Sequence, residues 1–155
     1  MTTKQAIKLK INSGTTIDLY YLDGVVIRFD VLSLVPRYPQ FQALQDRTLL
    51  EKGHLLGWSS VIWNQDLDLD VELVYEEGTP VSEEYDDIEA TVIGFLLKQR
   101  RLELGYSQAE TAKLIGIAQS DLSKIEKGLA NVTIKMLHRI ATGLRCKINT
   151  TLSTL

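Results

Sequence analysis

The stretch that most narrows what this chain can fold into is Ser107–Gly128, SQAETAKLIGIAQSDLSKIEKG. Ser107 followed three positions later by Glu110 is a capping box, in which each side chain satisfies a free backbone N–H of the other residue. The spacing predicts a short helix ending at Ile115, a tight turn at Gly116 and a second helix from Gln119 to Lys127, ended by Gly128. Gly116 falls at the corner, where a positive φ strains any residue with a Cβ. Ala112 is small where two helices must cross closely. Ile115, Ile117, Leu122 and Ile125 point inward and set the angle between the helices. The positions between them, Gln119, Ser120, Ser123 and Lys124, are all polar and point outward.

Helical periodicity continues on both sides. Upstream, Ile88, Val92, Phe95, Leu96, Gln99 and Leu102 recur at three- and four-residue steps, so a helix is expected to bury that stripe and stop at Gly105. Downstream, Thr133–Leu144 reads as a fourth helix with Ile134, Leu137, Ile140, Ala141 and Leu144 on one face. The tail Arg145–Leu155 alternates weakly, enough for an added strand or a dimer element.

The stretch resembles the lambda-repressor-like, or Xre-family, helix-turn-helix domain. Residues 92–144 carry the likeness, and R-x-x-x-G-x-[ST]-Q-x-E-x-A-x-x-x-G-[IV]-x-Q-x-x-[LI]-S-x-x-E-x-G is present from Arg101 through Gly128. The resemblance implies double-stranded operator DNA as the ligand. Gln108 would brace a phosphate at the start of its helix, and Gln119, Ser120, Ser123 and Lys124 would face base edges in the major groove. Glutamine can pair bidentately with adenine and lysine favours guanine. Lys98, Arg100, Lys127 and Lys135 are expected on the phosphate backbone, where contacts position a protein without reading sequence. Arg101 and Glu126 are expected as a structural ion pair. Asp121 departs from a purely neutral or basic reading helix, so it either accepts from cytosine or faces away. A single such unit makes few contacts, so a homodimer on a palindromic site is expected.

Charge sorts the chain into halves. Residues 1–88 hold 7 Lys/Arg against 15 Asp/Glu, a net of -8, while residues 89–155 hold 10 against 5, a net of +5. An overall charge of -3 thus hides a basic half suited to a polyanion and an acidic half with another task. The expected fold class is α+β: an acidic α+β domain over 1–78 built on a small antiparallel sheet, an acidic linker over 79–88, and an all-α helix-turn-helix domain of four to five helices over 89–155. In the first half IKLKI, TIDLYYL, VVIRF and WSSVIWN read as strands. Pro36 and Pro39 break the segment between the third and fourth.

The first half also resembles a small bacterial domain of unassigned function. Tyr20-Tyr21-Leu22-Asp23-Gly24 and the element Trp63…Asp68-Leu69-Asp70 carry that likeness over about residues 5–76. Such domains are often encoded beside a small basic protein, as a toxin beside its antitoxin. The resemblance implies a small basic, toxin-like partner for the acidic half. The alternatives are a small-molecule sensor in the first half, making a ligand-responsive repressor, or a binding scaffold whose helix-turn-helix meets protein instead of DNA.

Other chemistries find no constellation here. Asp66, Asp68 and Asp70 have the spacing of a calcium loop, but Val71 stands where the loop needs glycine, so a strand or turn with one acid-lined face is expected and no metal site. His54 and His138 are the two histidines, and Cys146 is the one cysteine. No catalytic triad, paired-cysteine motif or phosphate loop joins them, so no catalytic residue and no cofactor are assigned. One cysteine allows no internal disulfide, which fits the cytoplasm. No apolar run is long enough for a membrane span, and the start lacks a signal-peptide core.

Overall fold

The computed structural model describes residues 3–154. It divides into two compact units, Met1–Ile88 and Glu89–Leu155.

The first unit opens with a meander. β1 (Ala6–Ile11), β2 (Thr16–Tyr21) and β3 (Val26–Asp30) pair antiparallel in sequence order. Two 3-10 segments, Val31–Leu34 and Pro39–Gln45, lead to the one-turn α1 (Arg47–Leu50). A second sheet follows, β4 (His54–Leu56), β5 (Ser60–Asn64) and β6 (Leu67–Asp70), in that spatial order. Then come α2 (Val71–Glu77) and β7 (Thr79–Pro80), the latter pairing with β3. Strand period decides what is buried. On β6, Leu67 and Leu69 point into the core while Asp68 and Asp70 stay exposed, as the acid-lined strand reading expects. Asp70 then caps α2, its Oδ1 accepting the Glu72 N–H at 2.7 Å. The core gathers Ile17, Leu19, Phe29, Leu44, Val61 and Val74. Its two largest polar rings are satisfied, Tyr21 Oη donating to Val71 O at 2.6 Å and Trp63 Nε1 to Leu50 O at 3.1 Å.

The expectation of an acidic linker over 79–88 is corrected here. β7 is part of the first sheet, and Val81 N–H donates to Val26 O at 2.9 Å. The residues after it form a strap over the second face of β1–β3. Asp18, fully buried, receives Arg28 Nε and Nη2 at 2.9 and 2.8 Å, Asn12 Nδ2 at 2.7 Å, and the Tyr85 hydroxyl from the strap. Asp87 pairs with Lys8 at 3.0 Å and accepts the Tyr20 hydroxyl at 3.3 Å. The physical reason is complementarity: an acidic run is solvated only when nothing basic faces it, and Lys8, Lys10 and Arg28 all point to this face. Burial pushes the Asp18 carboxyl up, but the Arg28, Tyr85 and Asn12 donors outweigh it and hold it below the usual carboxylate range.

The second unit is helical: α3 (Ile88–Glu103), α4 (Gln108–Ile115), α5 (Gln119–Glu126) and α6 (Ile134–Gly143). Leu97, Ile115, Ile125, Ile140 and Leu144 make its core, with Ala112, Leu122 and Ala141 also buried. Four helices fall within the expected range, and no helix of the described residues is long and apolar enough to cross a membrane. Two expectations fail. α3 buries Thr91, Gly94, Leu97 and Arg101, while Leu96 and Leu102 of the expected stripe are 50% and 51% exposed. Gly94 is the cause: an added Cβ would overlap the Ile125 carbonyl oxygen, so the backbones of α3 and α5 touch there and set the rotation of α3. On α6, Ile134 is 65% exposed and lies outside the core. The tail forms no strand among the described residues, and its last position, Leu155, lies outside them.

Candidate nucleic-acid interface

α4 begins as the spacing predicts. Ser107 Oγ accepts the Glu110 N–H at 3.1 Å and Glu110 Oε2 accepts the Ser107 N–H at 2.7 Å, a reciprocal capping box. The Ser107 backbone bond holds the Glu110 carboxyl below its ordinary value. The helix stops at Gly116, whose φ of 78° places it in the left-handed region. Gly116 and Ile117 both donate to Ala112 O, at 2.8 and 3.0 Å. That bifurcated stop turns the chain sharply, and α5 starts three residues later.

The α4–α5 angle is locked from beneath by charge. Arg101 donates Nε to Glu126 Oε1 at 2.5 Å and Nη2 to Oε2 at 3.0 Å, and both residues are buried, at 6% and 7% exposure. The remaining Arg101 nitrogen, Nη1, donates to Tyr106 O at 2.7 Å. One guanidinium therefore ties α3 to the turn before α4 and to the end of α5. Gln108 joins the same group, its Nε2 donating to Glu126 Oε2 at 2.8 Å. The side chain expected to brace a phosphate thus spends one N–H on the lock. Sequence spacing alone carries no signal for this contact or for the Tyr106 carbonyl, because both join residues brought together only by folding.

Above the lock lies the outward face of α5. Gln119, Ser120 and Lys124 are exposed and Ser123 is half-buried. None of the four is bonded through its side chain to another described residue. The α5 N-cap is Ala118, which has no side-chain acceptor to offer the first-turn N–H groups. The start of α5 is thus open toward an acceptor from outside, unlike the self-capped start of α4. Asp121 and Lys124 sit on the flank of α5 that lines a shallow groove with Asn131, Thr133 and Met136.

The expected backbone-contacting cations divide. Lys98, Lys127 and Lys135 are exposed and take part in no ion pair among the described residues. Arg100 is engaged: Nε donates to Leu144 O at 3.0 Å, Nη2 reaches Arg145 O at 3.5 Å and Nη1 pairs with Glu103 at 3.1 Å. It caps the carbonyls at the end of α6, where a cation suits the helix dipole. No group of three or more His, Cys, Asp or Glu side chains with metal-binding geometry occurs among the described residues.

Residues 97–150 match the model of the helix-turn-helix family. The HTH-type transcriptional regulator SinR of Bacillus licheniformis is 40% identical over 63 residues, 40% of this chain and 57% of that protein. Its Bacillus subtilis (strain 168) counterpart is 40% identical over 62 residues, covering 39% and 56%. The matched stretch thus spans little more than half the length of the curated relatives. Among solved structures, the biofilm master regulator SinR in complex with DNA shares 41% identity over 36% of this chain and 89% of that one, with a TM-score of 0.34. The family match, the SinR likeness and the observed α4–turn–α5 geometry agree: residues 97–150 form a helix-turn-helix domain of the lambda-repressor-like type.

Proposed function

We propose that this chain is a sequence-specific DNA-binding transcriptional regulator, and that it represses its own operon as the antitoxin of a two-protein pair. The single observation that carries the DNA reading is the α5 face. Gln119, Ser120, Ser123 and Lys124 are outward, polar and unspent, on a helix fixed by a buried ion pair. Such a face can offer hydrogen bonds to base edges, while Lys98, Lys127 and Lys135 supply phosphate contacts. Arg100, tied to the end of α6, is the weakest of the proposed phosphate contacts, and Gln108 can reach one with its remaining amide groups. The relatives are named as transcriptional regulators, one solved with DNA, which supports the same reading for this unit.

A homodimer on a two-fold operator follows from the small reading surface of one unit. The net charge of -8 over residues 1–88 supports a basic protein as partner of the first unit, since complementary charge speeds encounter and rejects wrong partners. The test is a mobility-shift titration of the chain on the DNA upstream of its own gene, with unrelated DNA as competitor. Retained shift under a large excess of competitor is expected. Equal competition by unrelated DNA overturns the operator reading.

A further inference from the structure

β6 stands at one side of the β4–β5–β6 sheet, so one of its edges has no neighbouring strand there. Val71 N–H donates to Ser59 O at 2.9 Å, which fixes the phase of the β5–β6 ladder. Two residues on, Val61 and Leu69 form the next hydrogen-bonded pair. Ser60 with Asp70 and Ile62 with Asp68 are the pairs between. Residues of such intervening pairs turn their backbone groups away from the partner strand. The Asp68 N–H and C=O and the Asp70 N–H therefore face the free edge, and no turn, loop or side-chain bond among the described residues takes them up.

The side chains on this strand are equally available. Asp68 and Asp70 share the outer face of the sheet with Leu56 and Ile62, and Asp68, Asp70 and Leu56 are exposed, Leu56 to 58%. The same face of the β1–β3 sheet is covered by the strap; this one is open. Neither carboxylate is in an ion pair with a described residue, and Asp70 uses one oxygen to cap α2. A second copy of β6 is a poor neighbour here, because antiparallel pairing would set aspartate opposite aspartate. A basic strand meets the opposite condition. Its alternate side chains repeat at about 7 Å, twice the rise per residue, which is the pitch of Asp68 and Asp70.

We propose that the free edge of β6 is where a basic partner protein docks, by adding an extended segment whose alternate Lys or Arg residues stand opposite Asp68 and Asp70. This rests on the reading that the acidic unit takes a basic partner, and it gives that reading a place. Backbone bonds to the edge provide attachment, and the two aspartates select for charge.

The test uses the full chain and two acetylated, amidated peptides, one alternating Lys and Val, the other Glu and Val. Amide exchange and nuclear magnetic resonance shifts are followed during titration. The Lys peptide is expected to protect the Asp68 and Asp70 amides, and the Glu peptide to leave them unchanged. Asp68→Lys is expected to weaken the Lys peptide about tenfold or more, and Asp68→Asn less, while Glu76→Lys, an equal charge change off the sheet, has a small effect. Binding of the Lys peptide elsewhere, with those amides still exchanging freely, overturns the edge assignment and leaves the basic-partner reading standing. Equal weakening by Asp68→Lys and Glu76→Lys overturns the edge as well. No preference for the Lys peptide over the Glu peptide overturns both. The amide shifts of β1–β3 and the thermal unfolding of the first unit are expected to be unchanged in the Asp68 variants, which separates these results from a folding defect.

Discussion

The two units bury charge for different ends. In the first, Asp18 lies under a strap with its partner Arg28 still about a third exposed, beside a broad core that runs from Ile17 to Val74. In the second, Arg101 and Glu126 are both out of water and stand beside a core of five buried residues, Leu97 to Leu144. A large core can lose one polar tie and keep its shape. A small helical bundle has little else to set its helix angles, so the ion pair is part of the framework on which α5 is presented.

Breaking the two ties should therefore give unequal results. Arg101→Ala strands the Glu126 carboxylate in the core and is expected to cost about 3–5 kcal/mol, enough to unfold the second unit while the first stays folded. Nuclear magnetic resonance spectra that keep the β-sheet signals and lose those of α3–α6 would show it. Next in size is Gly94→Ala, which forces α3 away from the Ile125 carbonyl. A loss of about 1–3 kcal/mol is expected for such overpacking, read from thermal unfolding, with DNA binding falling alongside.

Acid separates the units in the other direction. The Asp18 carboxyl is held below its unfolded value, so the stability it contributes is present above the unfolded pKa, near 4, and drains away as pH falls through the folded one. The first unit is expected to loosen in acid, and Asp18→Asn should flatten that dependence while lowering stability at neutral pH. Far smaller effects are expected at the α4 start, where Ser107→Ala removes one cap bond and costs about 1 kcal/mol.

What the sequence disclosed divides along the same line. The capping box, the Gly116 turn and the inward positions Ala112, Leu122 and Ile125 were legible because they are local: each needs only neighbours within a helical turn or two. The Arg101–Glu126 pair was legible through the family pattern, although its residues lie 25 positions apart. The rotation of α3 was not, since a glycine that lets two backbones touch and a buried arginine both look polar or neutral to hydropathy. Nor was the strap, because Asp87 and Tyr85 find Lys8 and Asp18 across 67 to 79 residues of chain. β4 is three residues long, too short to display a period. Among the expected DNA contacts, side-chain identity was legible and occupancy was not: only the folded chain shows that Gln108 and Arg100 are already engaged while Gln119 and Lys124 bond to no other described residue.

The smallest of the expected changes concerns phosphate contacts. Lys127→Ala should weaken DNA binding without altering sequence preference, and should lower the slope of log affinity against log salt by about one. The central claim, that the outward face of α5 reads DNA, is tested most directly by one affinity measurement on upstream DNA. Wild type is compared with the Gln119→Ala/Lys124→Ala double variant at fixed, moderate salt. Both substituted side chains are exposed, so thermal stability should hold while affinity falls by at least about tenfold, the order expected for losing one or two base contacts. A stably folded double variant that binds the same DNA as tightly as wild type would contradict the account.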